Sequence, residues 1–290
     1  MKYLFIFSVI WIWSSCKQQP KSISEPISHF ETIDYVKVGQ VFDSIQPPYI
    51  IDVSNGTKCL VFIGCEHQAG ATHPQFSAIE TYFKKLQPQI SFNEGGQWTD
   101  SMRFKTVNDA IQKDGEVGAL KFWSDSAGIK MMNGDLSAKE EFALTSRYHT
   151  QEEWYLYYMI ERIAMPFLYD KNEKALFDSV FQNTTKGYFT QNGFKMSKEQ
   201  LTVEHFKKVY KKYIGKPFDS QNFDIEAFDY VNDNCKFCAI GRTSKMVRDS
   251  VLLSKIDNAL NQYDRVMVTF GHGHALAVEP ALKQIINRKR

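Results

Sequence analysis

The chain has no long apolar run, little net charge and few cysteines, and each shortage excludes something. Its one sustained apolar stretch near the start, Tyr3 to Trp13, is too short to span a bilayer comfortably. Formal charge is only +2, and no run of Lys or Arg exceeds Arg288-Lys289-Arg290, so nothing argues for nucleic acid as a partner. No GxSxG elbow is present and no Cys sits in a protease signature, which disfavours a covalent nucleophile. Cys235-Lys236-Phe237-Cys238 stands alone, without a second CxxC or a His pair, and reads as a local disulfide or two free thiols rather than a zinc knuckle.

Lys2, the apolar run and Ser14-Ser15-Cys16 together read as a signal peptide over 1–16. Small residues before Cys16 resemble a bacterial lipobox, although Trp13 departs from it; a lipidated Cys16 implies anchoring in the bacterial cell envelope, periplasm-facing or at the surface, and plain secretion is the alternative. Residues 17–28, with Gln18, Gln19, Pro20 and several Ser, suit a solvated tether, so the folded body begins near His29. With 43% apolar and 14% aromatic content, 29–290 can bury a sizeable core.

Five apolar stretches read as strands: Tyr49 to Val53, Leu60 to Ile63, Ile90 to Phe92, Ile129 to Met132 and Val266 to Phe270. Helical periods alternate with them, predicting an α/β fold with a mostly parallel central sheet flanked by helices. Pro74 to Leu86 forms one helix; Thr99-Asp100 is placed to cap another, broken near Gly115. From about 137 to 230 only helical spacing appears, predicting a helical insertion, with helices at Ala138–Ser146, Gln151–Tyr169 broken at Pro166, Glu173–Phe181 and Lys198–Tyr213. The stripe of Trp154, Tyr155, Tyr157 and Tyr158 reads as core. A last long helix from near Gly241 carries Met246, Leu253, Ile256 and Leu260 on one face; Arg242 shares that face, while Arg248 falls on another and is expected to face solvent.

Two tetrapeptides, Gly64-Cys65-Glu66-His67 and Gly271-His272-Gly273-His274, each follow a strand, and strand C-termini are where ligands bind in open parallel sheets. Glu94 and Asp135 end two further strands, although Asp135 reads equally as a cap for the helix beginning at Ser137. Glu66 and His272 lie adjacent, and His73 before Pro74 reads as a loop or cap residue. Two imidazoles with carboxylates suit metal-assisted hydrolysis, with His67, Glu94 and His274 as ligands and Mn, Co or Zn as the ion. They also suit a metal-free version, in which His67 is general base and Glu94 orients water. Arg242 would hold an anion or oxyanion.

This pattern resembles the TraB/TIKI superfamily, which includes erythromycin esterase-like and ChaN-like proteins. The resemblance rests on Gly64 to His67, Glu94, Arg242 with Met246, and Gly271 to His274, and spans roughly Cys59 to Ile286. It implies a membrane-anchored hydrolase, metalloprotease-like or esterase-like, acting on a peptide or small ester. ChaN-like relatives imply the alternative, a haem- or iron-binding lipoprotein without catalysis.

Overall fold

The computed structural model describes residues 29–95, 102–169 and 176–289. The signal peptide with Cys16, the tether, the Thr99-Asp100 cap and the start of the helix expected from Glu173 lie outside the described residues.

All five expected strands form, as β1 (Tyr49–Asn55), β2 (Lys58–Cys65), β3 (Ile90–Asn93), β4 (Lys130–Asn133) and β5 (Arg265–Gly271). Their order is β1-β2-β5-β3-β4. β1 and β2 form an antiparallel hairpin and every other pairing is parallel. The last strand in sequence thus enters the middle of the sheet, between β2 and β3. Leu60 to Ile63 are buried throughout because both faces of β2 are covered, which is why that strand reads as a continuous apolar run rather than an alternation.

One face packs on α2 (Pro74–Leu86) and α3 (Val107–Ser126), where Val61, Ile63 and Met267 meet Phe76, Ile79 and Leu120. The other meets α9 (Lys236–Gln262) and α10 (His272–Arg288), where Phe62, Val268 and Phe270 meet Leu252, Ile256, Val278 and Leu282. The result is a three-layer α/β sandwich. A first helix, α1 (Tyr35–Phe42), seats Tyr35 and Val38 against Leu276 and Ala277 of α10.

Between β4 and α9 the described residues hold no strand. α4 (Ala138–Thr145) and α5 (Gln151–Met159) each begin with a capping box, Ser137 with Glu140 and Thr150 with Glu153. α6 (Met165–Tyr169), α7 (Phe177–Thr184) and α8 (Val203–Ile214) follow. Their shared core is aromatic: Trp154, Tyr155, Tyr157 and Tyr158 are buried with Phe181, Phe189 and Phe206, each fully buried ring contributing roughly 2–3 kcal/mol. Before Pro166 the helix opens into a π-turn, Ile160–Ala164, since proline cannot donate to the i−4 carbonyl; a second π-turn spans Thr185–Phe189.

α9 starts at Lys236 rather than near Gly241, directly after Cys235, which is disulfide-bonded to Cys238. Cys59 and Cys65 are free thiols. No described helix is long and apolar enough to cross a membrane.

Candidate functional site

Because β2 and β5 pair in parallel with Cys65 opposite Gly271, the two GxxH turns leave the sheet side by side. Glu94 follows β3 on the other flank of β5, its N–H donating to the Thr269 carbonyl at 3.2 Å. The Glu94 Oε2 accepts from the Gly271 N–H, at the positive end of α10. A side chain at Gly271 would put its Cβ 2.8 Å from that oxygen and push the carboxylate back, so glycine lets Glu94 sit close against the turn. Oε1 accepts from Arg248 Nη2 at 2.6 Å and faces His274 Nε2 at 3.7 Å.

His274 is clamped from behind. Its Nδ1 lies 2.5 Å from Asp249 Oδ1 and 2.9 Å from the Tyr35 hydroxyl, which donates to Asp249 Oδ2 at 2.7 Å. Burial first, then the Asp249 charge, push the Tyr35 phenol well above its ordinary range and keep it a donor. With the Tyr35 proton committed to Asp249, Nδ1 of His274 carries the hydrogen donated to the same carboxylate, and Nε2 is left pointing at Glu94. That Nε2 is buried and has no hydrogen-bond partner among the described residues.

His67 is more open, its side chain 72% exposed, and Nδ1 meets Glu116 Oε1 at 2.8 Å. Glu116 reaches it because α3 breaks at Asp114 and Gly115. Gly115 has φ +52°, and a Cβ there would stand 2.6 Å from the Gln68 carbonyl, so glycine lets α3 close onto the turn bearing His67. The Glu116 hydrogen bond raises the His67 pKa above its ordinary value; burial opposes this, and the charges of Glu94 and Glu116 add to it.

His67, Glu94, Glu116, Asp135 and Arg248 line one cleft of about 420 Å³, whose far wall comes from the helical insertion. Each π-turn supplies one wall residue, Arg162 and Tyr188. Burial would raise the Glu94 pKa, but Arg248, helped by His274, His67 and Lys245, holds it well below the carboxylate range. Glu94 is therefore a fixed anion rather than a base. Burial and Arg248 compete in the same way at Asp135, and Arg248 wins.

The sequence reading of the two arginines is reversed. Arg242 turns away from the cleft and donates to the carbonyls of Tyr230 and Asn232, and Met246 is 37% exposed rather than on a buried stripe. Arg248 is the buried one, donating to Asp135 through Nε and Nη2 at 2.9 and 2.6 Å. The first half of α9 packs on the insertion through Phe237 and Ile240 and on the strand-end cluster through Arg248 and Asp249, so residues on several of its faces are buried and amphipathic phase no longer predicts which side is wet. Asp135 is no cap; Ser137 caps α4.

Glu66 is not a cleft-lining residue and pairs loosely with His73 at 3.6 Å, while His73 caps α2. His272 is buried between the rings of Phe42 and Tyr49, with centroids 5.1 and 6.1 Å away. His274 is buried behind Glu94 and is not on the cleft surface.

His67, Glu94 and His274 do not fit a divalent ion as they stand. The Glu94 oxygen nearest His274 accepts from Arg248, which sets a permanent positive charge against that donor, and the second oxygen is taken by Gly271. Among the described residues, no group of three His, Cys, Asp or Glu side chains is gathered to hold a metal.

Sequence reasoning missed Tyr35, Glu116, Arg248 and Asp249. Only Glu116 left a local trace, the carboxylate directly after the Gly115 break. No family model matches the chain, and no curated protein or solved structure is significantly similar to it.

Proposed function

We propose that this cleft hydrolyses a peptide or small ester bond with water activated by His67. The observation that carries the reading is the 2.8 Å His67–Glu116 pair in the same cleft as an ionised Glu94 and a guanidinium. Glu116 holds the Nδ1 proton and leaves Nε2 as the basic nitrogen facing water. As Nε2 takes the water proton, the imidazolium that forms is stabilised by Glu116 and by the Glu94 charge.

Arg248 spends Nε and Nη2 on Asp135 and Glu94, and Nη1 makes no hydrogen bond among the described residues. Nη1 is the donor available to the developing oxyanion. His67 then returns its proton to the leaving amine or alcohol. His274 acts through Glu94 as a positioning residue, and Arg162 with Tyr188 forms the wall that meets the substrate's flank.

The TraB/TIKI resemblance supports the same reaction class, with Arg248 in the part expected of Arg242. The charged lining favours hydrolysis over haem capture, since a porphyrin needs predominantly apolar walls. Lipidation at Cys16 would present the cleft at a membrane surface, and recovery of a Cys16→Ser chain in the soluble fraction tests that anchor.

The deciding experiment is a panel of chromogenic peptides and esters with the wild type and His67→Ala. A loss of about 10²–10⁴-fold in turnover is expected. Unchanged turnover would sink the proposal. So would a stoichiometric bound metal whose chelation abolishes activity, because the water would then be activated by the ion instead.

A further inference from the structure

α4 presents one face, with Ala138 and Glu141, to the catalytic cleft, and a different face to a second groove of about 530 Å³. Lys139, Phe142 and Ala143 line this groove from α4 and Ser146 from its C-cap, Gln151 and Trp154 from α5, and Gly193, Phe194 and Lys195 close it. The mechanism uses none of these side chains. Three features of the groove point to one kind of ligand.

Its floor is aromatic, since Phe142, Trp154 and Phe194 pack there, with Phe142 and Phe194 edge to face at 4.9 Å. Flat apolar bodies stack or abut such rings favourably. Trp154, which lines the groove, is only 1% exposed, and its buried indole Nε1 has no hydrogen-bond acceptor among the described residues. Among the described residues, the rim carries two exposed ammonium groups, Lys139 and Lys195, that form no ion pair, and no carboxylate lines the groove. Gln151 Nε2 donates to the Lys195 carbonyl at 2.6 Å and ties the rim to α5. A volume of this order suits a small organic ligand.

We propose that this groove binds an organic anion with a flat aromatic body, its rings against Phe142, Trp154 and Phe194 and its carboxylate between Lys139 and Lys195. The site is separate from the hydrolytic cleft, and nothing in the proposal depends on catalysis.

Titration calorimetry on the full chain with 2-naphthoate, its neutral analogue 2-naphthol and the acyl anion decanoate tests it. The expected result is at least tenfold tighter binding of 2-naphthoate than of either comparison ligand, accompanied by a change in tryptophan fluorescence. Lys139→Gln with Lys195→Gln should remove the preference for naphthoate over naphthol. Ala143→Trp, which fills the groove from an exposed position, should abolish binding with circular dichroism and melting temperature unchanged. Absence of naphthoate binding, affinity unaltered by the lysine changes, or binding that survives Ala143→Trp would overturn the site. Decanoate binding as tightly as naphthoate would overturn the flat-ringed ligand class.

Discussion

His274 Nε2 stands 3.7 Å from Glu94 Oε1, at the meeting point of segments 180 residues apart in a 290-residue chain. The imidazole is locked from behind by Asp249, and the carboxylate is locked by Arg248 and by the start of α10. Neither group can swing away without leaving a buried partner unsatisfied. The cleft therefore inherits a rigid anion, and His67 is left as the group free to exchange protons.

Activity should fall as pH drops, because His67 works as a base only when its Nε2 is unprotonated. Its pKa is raised above 6.5 chiefly by Glu116, so Glu116→Gln should move the acid limb of kcat/KM to lower pH and reduce the plateau by about 10–100-fold. A limb that stays in place would remove Glu116 from the mechanism.

The two arginines should separate cleanly. Arg248→Met strands two buried carboxylates and should cost about 3–5 kcal/mol in urea unfolding, with turnover lost. Arg242→Met removes bonds to two backbone carbonyls, should cost about 1–3 kcal/mol, and should retain turnover in the folded fraction. Equal effects on activity would refute the assignment of Arg248 to the site.

Acid should unfold the wild type through the same cluster. Glu94 and Asp135 titrate below their ordinary 4.5 and 3.8 in the folded chain, so their stabilisation is present above those values and is lost as pH falls through the lower folded ones. In Arg248→Met the sign should invert for both carboxyls, with stability rising on mild acidification. Unfolding free energy measured between pH 7 and 3 reads both outcomes.

His272 adds a further loss on acidification, nearer neutrality. Burial lowers its pKa from 6.5, with the Ile45 backbone and Glu66 opposing, so the folded chain prefers the neutral ring and the unfolded chain binds more protons as pH falls. Stability should decline below about pH 6.5, the ordinary imidazole value in the unfolded chain. His272→Leu should lose that component, and an unchanged pH profile between 7 and 5.5 would exclude it.

Gly115→Ala joins backbone to site. The added Cβ meets the Gln68 carbonyl at 2.6 Å in a left-handed backbone, so a loss of about 1–3 kcal/mol is expected. Activity of the folded fraction should fall as well, because Glu116 shifts away from His67; intact activity would separate the break in α3 from the function of the pair.

Much of the framework was legible in advance. All five strands lie where apolar runs predicted them, Gly115 breaks its helix as expected, and the aromatic stripe at 154–158 is core. Local burial writes itself into composition because a strand covered on both faces is apolar at most of its positions, with Ser91, Asn93 and Thr269 the buried polar exceptions in β3 and β5. The helix carrying Arg242 and Arg248 misled for the complementary reason. Phase arguments assume one apolar buried stripe, whereas the first half of α9 is buried around most of its circumference, Arg248 and Asp249 included, and leaves Met246 exposed.

By itself the sequence determined the strand runs, the glycine turns that end them, and the placement of His67, Glu94, Asp135 and His274 at those ends. Tertiary structure alone decided that β5 enters between β2 and β3, and that Arg248, Asp249, Tyr35 and Glu116 are the partners. The reason is range. Apolar periodicity is set by neighbours a few residues away, whereas Arg248 finds its partners 113 and 154 residues distant, and only the order in which strands pair brings such charges into contact.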